Sequence, residues 1–193
     1  MAAFKFNPER VAFCEVAGWR AYYDHNWFKL LRLVVALAQE QFHIPFPISL
    51  LAAYYITRAS AAWVPANHDE ARIQAFNEKF YRIARRHSGL EFDPGQVAAL
   101  ETRYWDVHRR LSGKLDKTEF IDTMTDLHSA LFGIPRDEAR ESAELRVLAN
   151  NVLDTITSKT SPDPEADWKR CEDYLRQCYQ AIQTGRNVNA HAR

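Results

Sequence analysis

Glycine and proline are scarce in this chain, which has 6 glycines and 8 prolines among 193 residues. Sandwiches and barrels of β-strands need many turns, so this scarcity argues against them and favours helices. A chain of this length forms one domain or at most two small ones, and it can bury about 70% of its unfolded surface. No internal repeat or low-complexity linker divides the sequence. We therefore expect one all-α domain over residues 1–184 and a disordered tail over residues 185–193.

Net charge is also absent, because 25 lysines and arginines balance 25 aspartates and glutamates. No overall field would draw the protein to a nucleic-acid backbone or an anionic membrane, so we expect no nucleic-acid partner. The phosphate-binding glycine loops, the G-x-S-x-G elbow and zinc-type Cys/His spacings are missing too. These absences argue against nucleotide-binding enzymes, α/β-hydrolases and zinc proteins.

Cysteine is rare, with Cys14, Cys171 and Cys178 as its only positions. The last two are seven residues apart, which is about 10 Å on a helix. A disulfide needs Cα atoms within about 7 Å, so this pair cannot bond. The cysteine pattern predicts a reduced, cytoplasmic protein.

One apolar run imitates a membrane span. Residues 44–65 carry a single charge, Arg58, and prolines lie near both ends. A charge in the middle of a bilayer is costly, whereas a helix surrounded by other helices is also apolar on all sides. The N-terminus MAAFKFNPER lacks the apolar core of a signal peptide. We predict no membrane span, and a buried central helix over about residues 47–63.

Helix ends are marked by local signals. Asn7, Asp93 and Asp163 each precede a proline, which is the pattern of a capping side chain followed by a first helical residue that needs no donor. Four glycines follow periodic segments, as expected where a helix ends in a left-handed residue. We predict a compact bundle of about seven helices, the first open to a kink at residues 24–26: 8–42, 47–63, 69–86, 94–111, 117–132, 135–157 and 164–184.

Glu15 is the most informative single residue. It shares the apolar stripe of Val11, Trp19 and Tyr22 at helical spacing. A carboxylate buried there needs a cation, a metal or a hydrogen-bond donor beside it. Two partners stay open: Arg58 in an ion pair, or Glu101 and His108 around a metal. The candidate pocket consists of Glu15, Arg58, Tyr22, Tyr104 and Trp105.

Other carboxylates and histidines lie on apolar faces. Glu40 and His43 form an E-x-x-H pair, Glu101 and His108 lie two helical turns apart, and His128 follows on the next helix. Residues three or four apart on a helix project together, and carboxylate with imidazole suits iron or manganese. The candidate metal ligands are Glu15, Glu101, His108, His128, Glu40 and His43. The pattern resembles non-haem di-iron oxidases of ferritin-like or haem-oxygenase-like bundles, without providing their full ligand set.

Two functions follow from this pattern. In the first, an interior carboxylate/histidine site makes the protein a metal-dependent oxidase or oxygenase. In the second, the buried polar residues form a structural network, and the protein is a non-catalytic module that binds a small apolar molecule or a protein partner. A homodimer formed through a helix face is compatible with either function.

Overall fold

The computed structural model describes residues 4–191, with side chains described for residues 4–186. These residues form eight helices and no strand, so the all-α prediction is confirmed. The helices are α1 (Pro8–Tyr23), α2 (Trp27–Phe42), α3 (Ile48–Trp63), α4 (Glu70–Ser88), α5 (Pro94–Leu111), α6 (Thr118–Phe132), α7 (Arg136–Thr157) and α8 (Pro164–His191).

The helices form a closed ring. Each one packs against the helices before and after it in the chain, and α8 returns to pack against α1. Short connections favour this arrangement, because they place consecutive helices side by side. The apolar stripes of the helices face the middle of the ring, where a single large core cluster forms around a cavity.

The long first helix predicted from the sequence is two helices. Residues 24–26 do more than kink it, because His25 has a left-handed backbone with φ of 53°. The side chain of Asn26 then caps α2 by accepting a hydrogen bond from the Lys29 N–H at 3.1 Å. Asparagine is a preferred N-cap, so the chain starts a new helix instead of continuing the old one.

The helix predicted over about residues 47–63 is present as α3, but the prediction that it is buried at the centre of the bundle is wrong. A ring has no central helix, and α3 packs mainly against α2 and α4. It buries Ala52, Ala53 and Ala59 but exposes Leu50 (44%) and Leu51 (48%). Its apolar composition therefore does not come from burial on all sides. Among residues 4–191, no helix combines the length and apolar character needed to cross a bilayer.

The C-terminal helix is longer than predicted. It continues to His191, past the expected end at residue 184, so residues 185–191 of the predicted tail are helical; residues 192 and 193 lie outside the described residues. Arg186 donates to the Phe132 carbonyl and its guanidinium lies 5.3 Å from the centre of the Phe4 ring. These contacts hold Arg186 of α8 against the C-terminal end of α6 and against Phe4.

The three Asx-Pro signals cap helices as predicted, whereas the predicted stop at Gly185 is wrong because α8 continues through it. Asn7 accepts hydrogen bonds from the N–H groups of Glu9 (3.0 Å) and Arg10 (3.2 Å), and Asp93 caps α5 in the same way. Asp163 accepts from the Ala166 N–H at 3.1 Å. Each cap satisfies N–H groups that the helix cannot pair internally.

We expect Asn7→Ala to lower the free energy of unfolding by about 1 kcal/mol, because two N–H groups of α1 lose their acceptor. Urea unfolding followed by circular dichroism measures this change. Asn67→Ala is the matched control, since Asn67 is exposed in a loop and should change stability by less than about 0.5 kcal/mol. Equal effects of the two variants would contradict the capping role.

Candidate functional site

A cavity of about 210 Å³ lies in the middle of the ring, and all eight helices contribute to its wall. Most of the wall is aliphatic or aromatic. The polar side chains that line it are Glu15, Gln41, Ser60, Tyr81, Glu101, Tyr104, His128, Arg146 and Tyr179. Buried polar groups need hydrogen-bond partners, so the hydrogen bonds of these side chains show which of them are available to a ligand.

Glu15 pairs with Arg146. The two Nη atoms of the guanidinium donate to the two carboxylate oxygens, one of them at 2.8 Å, and the Tyr179 hydroxyl donates to the same carboxylate. Arg146 is 8% exposed. Its guanidinium also lies 5.1 Å from the centre of the Trp19 ring, where cation–π attraction adds to the pairing. The pair joins α1, α7 and α8.

The predicted partner of Glu15, Arg58, is wrong. Arg58 is on the exposed side of α3, with its guanidinium 5.7 Å from the centre of the Phe76 ring. Arg146 was not among the candidate residues predicted from the sequence. The signal was present, however, because Arg146 falls at helical spacing between the buried residues Ala139, Ala143 and Leu153.

Glu101 forms a second polar group at the cavity wall. It accepts hydrogen bonds from the Tyr81 hydroxyl at 3.1 Å and from the Trp105 Nε1–H at 2.9 Å. Burial raises the pKa of the Glu101 carboxyl, against the opposing effects of nearby Arg146 and the two donors. A carboxylate has about four acceptor positions, so Glu101 keeps free acceptor capacity beside the cavity.

His128 is buried and neutral. Its Nδ1 lies 2.8 Å from the Ser142 hydroxyl oxygen, and that hydroxyl donates its only proton to the Ala139 carbonyl. Nδ1 must therefore carry the proton, which leaves Nε2 as an unprotonated acceptor. Burial, with a further contribution from Arg146, lowers the pKa of His128 to about 3. The side chain lines the cavity as a neutral ring.

An outer chamber of about 400 Å³ adjoins the cavity. His108 lines it and makes a 2.9 Å contact from Nε2 to Asp154 Oδ1, and Tyr22 lies on the same wall. The two spaces share part of their lining, namely Gly18, Trp19, Leu30, Ser60, Tyr104 and Trp105. Of the predicted pocket residues, Tyr22 thus lies at the chamber, Glu15 lies at the cavity, and Tyr104 and Trp105 line both spaces. Glu101, predicted as a metal ligand, lies at the cavity.

Glu40 and His43 lie outside both spaces. Glu40 accepts from the Asn7 N–H at 2.9 Å and pairs with Arg10 at 3.3 Å. His43 is the C-cap of α2, with a left-handed φ of 55°. Glu40 therefore binds the start of α1, His43 ends α2, and the two residues do not form a pair inside the bundle.

The candidate metal ligands are not brought together. Glu15 is bound by Arg146 and Tyr179, while His108 is paired with Asp154. In the part of the chain that the structure describes, no group of three or more His, Cys, Asp or Glu side chains is placed to hold a metal ion. The three cysteines are buried and unpaired.

Comparison of the chain with protein-family models, with curated proteins and with solved structures finds no match. Function is therefore inferred from the side chains of the cavity and the chamber.

We expect Arg146→Met to lower the free energy of unfolding by about 3–5 kcal/mol, because Glu15 would stay buried without its cation. Chemical denaturation measures the loss. Arg58→Met is the control, since it removes an exposed arginine. A loss below about 1 kcal/mol for Arg146→Met would show that Glu15 is solvated in solution.

Acid should destabilise the fold through His128. Its pKa is about 3 in the folded protein against a usual 6.5, so the unfolded chain binds more protons between these values and stability falls as pH falls below 6.5. Above that value the contribution is complete. We expect the stability advantage of the wild type over His128→Gln to shrink by roughly 2 kcal/mol between pH 6.5 and pH 4.5. Urea titrations at several pH values measure it.

His87→Gln provides the comparison for that titration, because His87 is outside the cavity on α4. It shows how the loss of a histidine outside the cavity affects stability over the same pH range. A difference from the wild type that does not change with pH for His128→Gln would mean that His128 is not held neutral.

Proposed function

We propose that the protein binds a small, largely apolar molecule carrying a hydrogen-bond donor in its central cavity. The observation that carries this proposal is the composition of the wall, where apolar side chains from α1 to α6 surround two acceptors, Glu101 and His128. Enclosed apolar cavities with a few convergent polar groups are the usual form of a ligand site.

The size of the cavity limits the ligand. An engineered apolar cavity of about 150 Å³ binds benzene, and this cavity measures about 210 Å³. A single six-membered ring with a short substituent therefore suits it. Larger ligands would have to extend into the outer chamber through the shared wall that includes Gly18 and Trp105.

The electrostatics of the wall select the substituent. The charge of Arg146 is already matched by Glu15. Glu101 has neutral donors only, and Nε2 of His128 is an acceptor. An amine or hydroxyl group on the ligand would donate hydrogen bonds to these acceptors, whereas a carboxylate would place a second negative charge near Glu101.

The paired state of the polar residues supports a binding module over a metal-dependent oxidase. Glu15, Arg146 and Tyr179 bind one another, as in a structural network, although Nε of Arg146 is buried without a partner among the described residues. The iron or manganese hypothesis has no converging ligand set among the described residues. That the protein binds a protein partner or forms a homodimer stays a prediction.

The test is calorimetric titration with four probes of similar size at pH 8, where Glu101 is more fully ionised: benzylamine, benzyl alcohol, toluene and benzoate. We expect benzylamine and benzyl alcohol to bind about tenfold or more tightly than toluene, since hydrogen bonds to a charged group contribute about 1.5–3 kcal/mol. Benzoate should bind most weakly. Glu101→Gln should reduce the advantage of benzylamine over toluene.

Two controls accompany this titration. Glu91→Gln changes an exposed carboxylate that pairs with Arg85 at 3.3 Å, and it should leave all four affinities unchanged. Gly18→Leu adds a side chain to the wall shared by the two spaces and should weaken binding of every probe. Benzoate binding as tightly as benzylamine, or no probe binding at millimolar concentration, would reject the proposal.

A further inference from the structure

The outer chamber contains a histidine held by a carboxylate from another helix. His108 on α5 and Asp154 on α7 approach to 2.9 Å, with side chains only 17% and 16% exposed. The imidazole is stacked on the Phe120 ring, with centres 5.3 Å apart and planes at 20°. Tyr104 stacks on it as well. The ring is therefore fixed in both position and rotation.

This pairing leaves one ring nitrogen free. A carboxylate accepts from Nε2–H and so favours the tautomer whose Nδ1 is unprotonated. Among the described residues, Nδ1 of His108 makes no hydrogen bond, and it is not one of the buried polar atoms sealed without a partner. An oriented imidazole with an open basic nitrogen in a solvent-accessible chamber is the arrangement of a general base.

The chamber also offers donors for an oxygen atom. Tyr22 and Tyr23 line it, and their hydroxyls make no hydrogen bond within the described part of the chain. Burial raises the pKa of both tyrosines, so these hydroxyls keep their protons. The rings of Trp19, Trp63 and Trp105 provide flat apolar surfaces on the same wall. A carbonyl compound with an aromatic group matches this combination.

We propose that His108 is the general base of a hydrolytic site in the outer chamber, that Asp154 positions it, and that small aryl esters are its substrates. Nδ1 takes a proton from water as the water oxygen bonds to the ester carbonyl carbon. The carbonyl oxygen becomes negative and accepts from the tyrosine hydroxyls. The bond from that carbon to the aryl oxygen then breaks, and His108 returns the proton to the leaving phenolate, giving a carboxylic acid and a phenol.

Three other helices contribute groups around His108. Asp154 faces it from α7, Tyr22 and Tyr23 share its chamber from α1, and α6 contributes the apolar ring of Phe120. On its own helix, Arg109 donates to the Trp63 carbonyl at 2.7 Å and lies over the Trp63 ring. The carboxylate of Asp154 is therefore the only negative charge in direct contact with the imidazole among these groups.

The test is hydrolysis of phenyl acetate by the full chain across pH 5 to 9. We expect His108→Gln to lower kcat/KM by about 100-fold or more, because the attacking water loses its base. His87→Gln should match the wild type. Asp154→Asn should lower kcat with little change in KM, because it removes the acceptor that fixes the tautomer of His108. A purely structural role for Asp154 would lower kcat only through a smaller folded fraction, which circular dichroism measures.

A wild-type rate no higher than that of His108→Gln overturns the proposal. If His108→Gln does not fold by circular dichroism, the paired variant Tyr22→Phe with Tyr23→Phe decides the question, because it removes only the hydroxyl donors. We expect it to lower kcat by at least about tenfold, and an unchanged kcat would then reject the site. The proposal does not depend on ligand binding in the central cavity, which calorimetry tests separately.

Discussion

The structure depends on one buried ion pair, between Glu15 and Arg146. Charges removed from water need a partner with good geometry, and each of these side chains forms its ion pair with the other. The pair links α1 to α7, and Tyr179 adds α8 to the same network. At these three helices the last part of the chain packs against the first, so the ion pair lies where the ring closes.

The pair also sets the character of the interior. The paired charges leave most of the cavity wall apolar. Burial in this wall, with a further contribution from the nearby Arg146, lowers the pKa of His128 and keeps the ring neutral. Glu101 is left as the acidic group with neutral donors, Tyr81 and Trp105. A ring of helices around such an interior is hollow where a bundle with a central helix would be filled, which gives the fold both the cavity and the outer chamber.

Two different kinds of chemistry adjoin in this arrangement. The cavity has acceptors fixed among apolar groups, which suits recognition of a donor-bearing ligand. The chamber has a base, His108, with an open nitrogen and tyrosine donors. Trp105 belongs to both, since it lines the chamber and donates to Glu101 in the cavity wall. A change in its ring position would therefore affect both spaces.

The sequence by itself determined most of the helices and the partial burial of Glu15, because capping and 3.6-residue periodicity act between near neighbours. It placed helix starts after Asn7, Asp93 and Asp163, where the structure has them. Only the tertiary structure decided the partner of Glu15, because Arg146 lies 131 residues away and Arg58 is turned outward by the packing of α3. Spacing shows which side chains share a face, but the direction of that face depends on contacts between distant helices.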